Sequence, residues 1–439
     1  MSTQMSDAKS AAGAGTDEAI SIVQRGNLKS LETSLRKQWR LGQNIVLCWS
    51  STDNGILVML VPHYFLGNYS AAGDAGTPDE APGSSGSSPA INPNESFIRR
   101  LISGQRRKSR DEFFEVSNRL GVSATFIKLS APLDDEPAVV DAVDEIIRRY
   151  GISYVSSRAV LLFDIAEFSL YTPFEQASQL NSLSYSMNSA YNKLLTRGIE
   201  INFARTTTGD GYYVWNRDLR ASGSLDLLHF LLLVIADNAQ AREASKGNTV
   251  PLIRSGFHIG SHYELYQAEG VNPTVFSYIV GDVTIELARM VDLAQPGQVF
   301  MGEFSVELPS PGKNDDADTV TLNTLGFLQR CNEESARLHG MQLSGQEVTA
   351  FNCRVSEAAL PDGTRVARRF RLTDKHGLAR DAFNLQVQIE TASEQKWVFG
   401  LSDDRLPSRA STDTAATGVD KASLASSQGR PSKSSVSED

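Results

Sequence analysis

Two aspartates carry the clearest chemical promise in this sequence. Asp164 closes the apolar run RAVLLFDIAEFS, in which residues 159–165 read as a buried strand, and a carboxylate at the end of such a strand needs a partner. Asp210 stands between glycines in INFARTTTGDGYYVWN, where Gly209-Asp210-Gly211 joins two segments rich in β-branched and aromatic residues. Were those strands neighbours in one sheet, the two carboxylates would converge. Paired carboxylates on a rigid sheet can seat Mg2+, a hard ion that prefers oxygen ligands and takes others from phosphates. Two ions held this way would activate an attacking hydroxyl and neutralise a leaving pyrophosphate. Taken singly, each residue has a plainer reading, since an aspartate in a Gly-Asp-Gly turn is most often just a turn residue.

The elements that must position this pair follow from periodicity. Leu180, Leu183, Met187, Ala190 and Leu194 recur at helical intervals and predict a long amphipathic helix over 174–195. A second helix is expected over 225–244, then a strand in IRSGFHIG ending at Gly260, another in YIVG, and a helix in TIELARMVDLA closed by Pro296-Gly297. The alternation β, α, β-hairpin, α, β, β, α predicts one antiparallel-rich sheet with helices on one face. Upstream lie a helix at 28–39, a hairpin of IVLCWSS and GILVMLV about Asp53-Asn54-Gly55, and a helix at 137–150. Between them the basic run RRLISGQRRKSR, residues 99–110, reads as a solvated helix face before a helix at 112–120, with an anionic partner or a modified Ser109 as the alternative.

Composition bounds the rest. With 439 residues, 41% of them hydrophobic, the chain can bury a sizeable core, and a net charge of -10 argues against a general nucleic-acid partner. Cys48, Cys331 and Cys353 are far apart and form no CxxC pair, so neither a disulfide framework nor a zinc cluster is expected, and a reducing cytoplasm fits. The first residues lack the basic and apolar segments of a secretory signal, and the longest apolar run, 227–236, falls short of the roughly 20 residues that span a bilayer. Low apolar content marks 1–19, 69–95 and 401–439 as disordered lead, flexible linker and disordered tail. The division is then an N-terminal α+β region at 20–68, its second part with a connecting helix at 96–157, and a main domain at 158–400.

Four segments of that main domain, in order over 159–304, resemble the catalytic domain of the class III adenylate and guanylate cyclases. FDIAEFS is similar to the opening strand with the first metal aspartate, which falls on Asp164, and TTGDGYYVW to the hairpin with the second, on Asp210. RSGFHIG matches a strand written Arg, any, Gly, any, His, any, Gly, and GDVTIELARMVDLAQPGQVFMGE resembles the helix that delivers a transition-state arginine, here Arg289. The resemblance implies an α+β, ferredoxin-like fold and a head-to-tail homodimer with its site across the interface. It implies two Mg2+ or Mn2+ ions per site and conversion of a nucleoside triphosphate, ATP first and GTP next, to a 3′,5′-cyclic nucleotide and pyrophosphate. Backbone amides of Ile165, Ala166, Glu167, Phe168 and Ser169 would cradle phosphates, and Lys375 would supply the lysine of a downstream strand, although Asp374-Lys375-His376-Gly377 reads equally as a hairpin turn.

This sequence departs from the family at three places. The base-reading positions, commonly Lys or Glu and then Asp, Thr or Cys, hold Thr206 and Tyr278, and the ribose-orienting Asn is Ile285. Arg205, Thr206, Thr208 and Tyr278 are candidates for another reader, and Thr284 or Glu286 for the missing Asn. Two readings result: a working cyclase, or a silent cyclase fold that binds nucleotide and regulates or scaffolds. His258 and His262 are four apart with Gly260 between them at a strand end, so no helical zinc pair is expected and His258 reads as a core or hairpin residue.

Overall fold

A computed structural model describes residues 20–72, 92–218, 220, 222–269, 274–310, 319–373 and 377–406. The expectations placed on 1–19, on the middle of the linker, on Lys375 and on most of the tail fall outside these residues.

The N-terminal region runs α1 (Ile22–Trp39), β1 (Asn44–Thr52), β2 (Gly55–Pro62), α2 (Phe65–Ala71), α3 (Pro93–Leu101), α4 (Arg110–Leu120), β3 (Thr125–Lys128) and α5 (Pro137–Arg149). The ends of the expected linker are therefore helical, because Asn92 caps α3 through its side chain and Tyr69 packs in the core below α2. The strands form an antiparallel sheet in the order β1-β2-β3. Gly55 is required there, since a Cβ would stand 2.1 Å from the Ile127 carbonyl oxygen. One apolar cluster joins this sheet to α1 and α5, through Leu31, Leu35, Val143 and Ile147. Another joins it to α3 and α4, through Ile98, Leu101 and Phe113.

The basic run is not a solvated helix face. Arg99 and Arg100 close α3, residues 106–108 lie extended against β1 at Trp49, and Ser109 caps α4 in a reciprocal capping box with Glu112. Arg106 is 1% exposed, and its guanidinium donates to the carbonyls of Leu47 at 2.8 Å and Ile152 at 2.5 Å and to Ser153 Oγ at 3.1 Å. Burying a guanidinium is costly unless its donors meet acceptors, and here the two terminal nitrogens tie β1 to the strand that starts at Ile152, while Nε is buried without a partner among the described residues.

That strand opens the main sheet. The elements are β4 (Ile152–Ile165), α6 (Pro173–Leu195), β5 (Phe203–Thr207), β6 (Gly211–Asn216), α7 (Ser222–Ala244), β7 (Ile253–Glu269), β8 (Thr274–Val280), α8 (Asp282–Asp292) and β9 (Val299–Gly302). A β10–β11 ribbon (Ser305–Pro309, Thr319–Asn323), α9 (Thr324–Glu334) and seven further strands follow: β12 (Gln342–Leu343), β13 (Gln346–Val355), β14 (Glu357–Ala359), β15 (Arg365–Ala367), β16 (Arg369–Thr373), β17 (Ala379–Thr391) and β18 (Lys396–Phe399). The central order β7-β4-β6-β5 is antiparallel throughout, with α6 and α7 as the two helical connections. This is the ferredoxin-like arrangement of an α+β fold. β7 runs past Gly260 to Glu269, and β9 lies parallel to it before β17 and β13 extend the sheet.

Helices cover both faces of this sheet rather than one. On β4, Ala159, Leu161, Phe163 and Ile165 pack with α6, α7 and α9, whereas Val160 and Leu162 pack with α8. A strand apolar on both sides must be covered on both sides. α7 is long and apolar enough to cross a bilayer, but most of it is buried within the first of these cores. All three cysteines are free and buried, and burial pushes the thiols of Cys48 and Cys353 up to about 12. A contact boundary falls between Leu401 and Ser402; beyond it, the described residues form a turn in which the Arg405 amide donates to the Ser402 carbonyl at 3.0 Å.

The junction between the two sheets generates a stability prediction. Asp144 on α5 is 3% exposed and accepts from Trp49 Nε1 at 2.6 Å and from the Arg106 amide at 2.8 Å. Asp144→Ala would strand both donors beside a buried guanidinium and is expected to cost about 3 kcal/mol. Urea unfolding measures it, and a loss below about 1 kcal/mol would show that the junction contributes little.

Candidate active site

The fold brings the two aspartates to adjacent strand ends. Asp164 lies in register with Gly211 at the start of β6 on one side and with Arg254 on β7 on the other. The Ile165 amide donates to the backbone carbonyl of Asp210 at 3.0 Å, so the hairpin tip is tied to the end of β4. Gly211 makes this approach possible, because a Cβ there would stand 1.9 Å from the Phe163 carbonyl oxygen. Thr208 Oγ1 donates to Asp210 Oδ1 at 3.2 Å.

Asp164 is half-buried and held by a residue that the chemical reading of the sequence had not singled out. Arg254 Nε donates to Asp164 Oδ2 at 2.5 Å, while its NH1 reaches the carbonyls of Asp292 at 3.4 Å and Ala294 at 3.5 Å, at the end of α8. Burial pushes the Asp164 carboxyl above its ordinary range, the Arg254 hydrogen bond and charge work against it, and Asp210 and Asp292 add repulsion. Two mutually repelling carboxylates suit a divalent cation. Among the described residues no group of three or more His, Cys, Asp or Glu side chains forms a metal site, so an ion here would draw its remaining ligands from phosphate, backbone or water, as Mg2+ readily does.

The five amides expected at a phosphate divide into two sets. Those of Ile165 and Ala166 are already used, by Asp210 O and by Leu252 O at 2.9 Å. Those of Glu167, Phe168 and Ser169 lead into a 3-10 turn, Phe168–Leu170, whose first N–H groups have no acceptor within the turn. Glu167 holds the left-handed backbone conformation, φ 57°, a strained state for a residue with a Cβ.

The helix of Arg289 lies directly on β7. Arg254, Gly256, His258 and Gly260 alternate along the strand and so share the face toward α8. A Cβ at Gly256 would stand 3.0 Å from Leu287 Cδ2 and Val291 Cγ2, and one at Gly260 would stand 3.2 Å from Val283 Cβ. The motif spacing thus has a packing cause: two glycines admit the helix, while Arg254 and His258 reach past it. His258 is buried, and its Nε2 lies 2.5 Å from Glu286 Oε2; Glu286 Oε1 also accepts from Arg380 on β17. Arg289 is half-buried one turn beyond Glu286.

The expected base-reading pair is not brought to one face. Thr206 is in register with Tyr213, whose hydroxyl donates to the Thr284 carbonyl at 2.9 Å, which puts Thr206 on the α8 side. Tyr278 alternates with Ile279, a member of the α8-side core, and therefore faces away, 36% exposed. Thr284 is spent at the helix start, where its Oγ1 donates to Gly281 O at 2.8 Å and accepts from the Gly281 amide at 3.2 Å. Glu286 is spent on His258 and Arg380, and Ile285 is 45% exposed. The pairings of Arg254, Glu286 and Arg380 acquire meaning only once β7, α8 and β17 are stacked.

No protein-family model matches this chain, and no curated protein matches it either. Among solved structures, similar folds include the guanylate cyclase domain of RhGC from Catenaria anguillulae, at 16% identity, 39% of this chain, 96% of that chain and a TM-score of 0.28. The guanylyl cyclase Cya2 is similar at 14% identity over 39% of this chain and 92% of its own, with a TM-score of 0.29. The adenylyl cyclase CyaB from P. aeruginosa is similar at 12% identity over 39% and 94%, with a TM-score of 0.26.

The strain at Asp164 is measurable. A carboxyl whose folded pKa is raised stabilises the fold below its ordinary pKa of 3.8, and that contribution disappears as pH rises through the folded value. Asp164→Asn should therefore unfold at a higher temperature than wild type at pH 7, with the advantage shrinking on acidification. A lower unfolding temperature at pH 7 would show that the pairing with Arg254 outweighs burial.

Proposed function

We propose that this protein is a nucleotidyl cyclase of the class III type, which converts a nucleoside triphosphate to a 3′,5′-cyclic nucleotide and pyrophosphate in a head-to-tail homodimer. The observation that carries the proposal is the Ile165 amide bonded to the Asp210 carbonyl, which locks the two aspartate-bearing strand ends together just ahead of the amides at 167–169 that open the 3-10 turn. ATP is the first candidate substrate and GTP the second. Three free buried thiols are compatible with a reducing cytoplasm and a role in intracellular signalling.

In this reading Asp164 and Asp210 hold Mg2+ or Mn2+, which when bound would make the ribose hydroxyl a better nucleophile and offset charge on the pyrophosphate. The amides of Glu167, Phe168 and Ser169 receive phosphate oxygens, and Arg289 of the second subunit meets charge developing at the α-phosphorus. The 3′-oxygen bonds to that phosphorus as the bond to the pyrophosphate oxygen breaks, and the hydroxyl proton passes to solvent. Exposed apolar side chains support a second copy here: Leu170 and Phe174 flank the amides, and Val280, Ile285 and Leu293 lie on β8 and about α8.

A second reading, a nucleotide-binding regulator or scaffold without turnover, is favoured by Tyr278 facing away from Thr206 and by the commitment of Thr284 and Glu286 to other partners. Purified protein supplied separately with ATP, GTP, CTP and UTP, with Mg2+ and with Mn2+, separates the two by mass spectrometry of the products. A cyclase should form one 3′,5′-cyclic product that Asp164→Ala and Asp210→Ala abolish and that Arg289→Ala cuts by about 100-fold or more. Mixing Asp164→Ala with Arg289→Ala should restore roughly a quarter of wild-type activity, the share of intact sites in randomly paired dimers. A folded dimer that forms no product would favour the regulator.

A further inference from the structure

Glu286 is the meeting point of three charged or titratable side chains from three elements. Its Oε2 is 2.5 Å from His258 Nε2 on β7, its Oε1 accepts from Arg380 at the start of β17, and Arg289 follows three residues later on the same face of α8. Burial alone would raise the Glu286 carboxyl, but the His258 hydrogen bond, with the charges of His258, Arg380 and Arg289, holds it below its ordinary range. His258 is itself wedged in place. A Cβ at Gly302 on β9 would stand 2.3 Å from its Nδ1, so the Nδ1 edge of the imidazole needs the bare glycine there.

We infer that Glu286 is a positioning residue for Arg289. The inference rests on the cyclase reading, in which Arg289 meets the transferred phosphoryl group. A half-buried arginine has more than one rotamer open to it, and one that must act in the transition state gains from a fixed start. Glu286 supplies this twice over. It fastens the middle of α8 to β7 and β17, which fixes the helix in rotation, and it places a negative charge one turn from the guanidinium. Removing that charge should cost rate rather than substrate affinity, because the rest of the triphosphate contacts lie elsewhere.

The test compares kcat and KM for wild type, Glu286→Gln, Gly302→Ala and Arg289→Lys, together with Glu286→Gln in the Arg289→Lys background. Glu286→Gln should lower kcat about tenfold or more with KM within about twofold. Gly302→Ala, which displaces His258 without changing any charge, should act in the same direction and keeps the inference testable if the first variant does not fold. In the Arg289→Lys background Glu286→Gln should lose much less than tenfold, since a group acting through Arg289 has little left to position. An equal loss in both backgrounds, or kcat unchanged in both single variants, overturns the inference while leaving the cyclase reading intact. A wild type that makes no cyclic nucleotide removes both together.

Discussion

The close seating of α8 on β7 is the contact on which the rest of the site depends. It exists because Gly256 and Gly260 leave no side chains in the gap, so Leu287, Val291 and Val283 rest on bare backbone. Nothing larger fits without displacing a branched side chain or the helix, and interiors packed at crystal density tolerate such displacement poorly. Between and before those glycines, Arg254 and His258 extend past the helix edge to carboxylates on either side. One strand face thus supplies packing, a clamp on Asp164 and a clamp on Glu286.

Charge in this region is arranged as carboxylates each held by basic side chains from another element. Asp164 has Arg254, and Glu286 has His258 and Arg380. The two carboxylates nonetheless differ. Burial outweighs Arg254 at Asp164, whose carboxyl is raised, whereas at Glu286 burial is outweighed by the His258 hydrogen bond and the neighbouring charges, and the carboxyl is lowered. A raised, crowded carboxylate gains from an added cation, and a lowered, well-paired one has nothing to gain. The same physical causes thus leave one carboxylate crowded and the other well paired.

The N-terminal region and the main sheet are joined through β4 and β7, whose Ile152, Tyr154 and Tyr263 pack in the N-terminal core. β4 begins beside the buried Arg106 guanidinium, where Ile152 and Tyr154 pack in the N-terminal core, and ends at Asp164. β7 follows it along this length, from Ile253 opposite Ile165 to Leu265 opposite Ile152. A rearrangement around Arg106 would act on one end of the strand that carries the candidate metal ligand at the other, although a bulge between Val155 and Arg158 interrupts the ladder.

Local pattern determined a good deal of this protein. Apolar recurrence at 3.6-residue spacing placed α5 and α6 almost to the residue, and Asp-Asn-Gly and Gly-Asp-Gly marked both hairpins, because helix faces and tight turns are short-range consequences of sterics. Asp164 and Asp210 were legible because a carboxylate in an apolar run and one in a glycine turn are unusual where they stand. The partners of those residues were not legible. Arg106 read as a solvated cation because sequence does not say that Leu47 and Ile152 turn their carbonyls to it, and Glu286 read as a candidate for the missing ribose-orienting Asn because nothing in sequence pairs it with His258 and Arg380, 28 and 94 positions away. Which face Tyr278 takes, and whether one or two sides of the sheet are covered, depended on strand order and register. Those are long-range pairings whose free energy exists only after the chain has closed on itself.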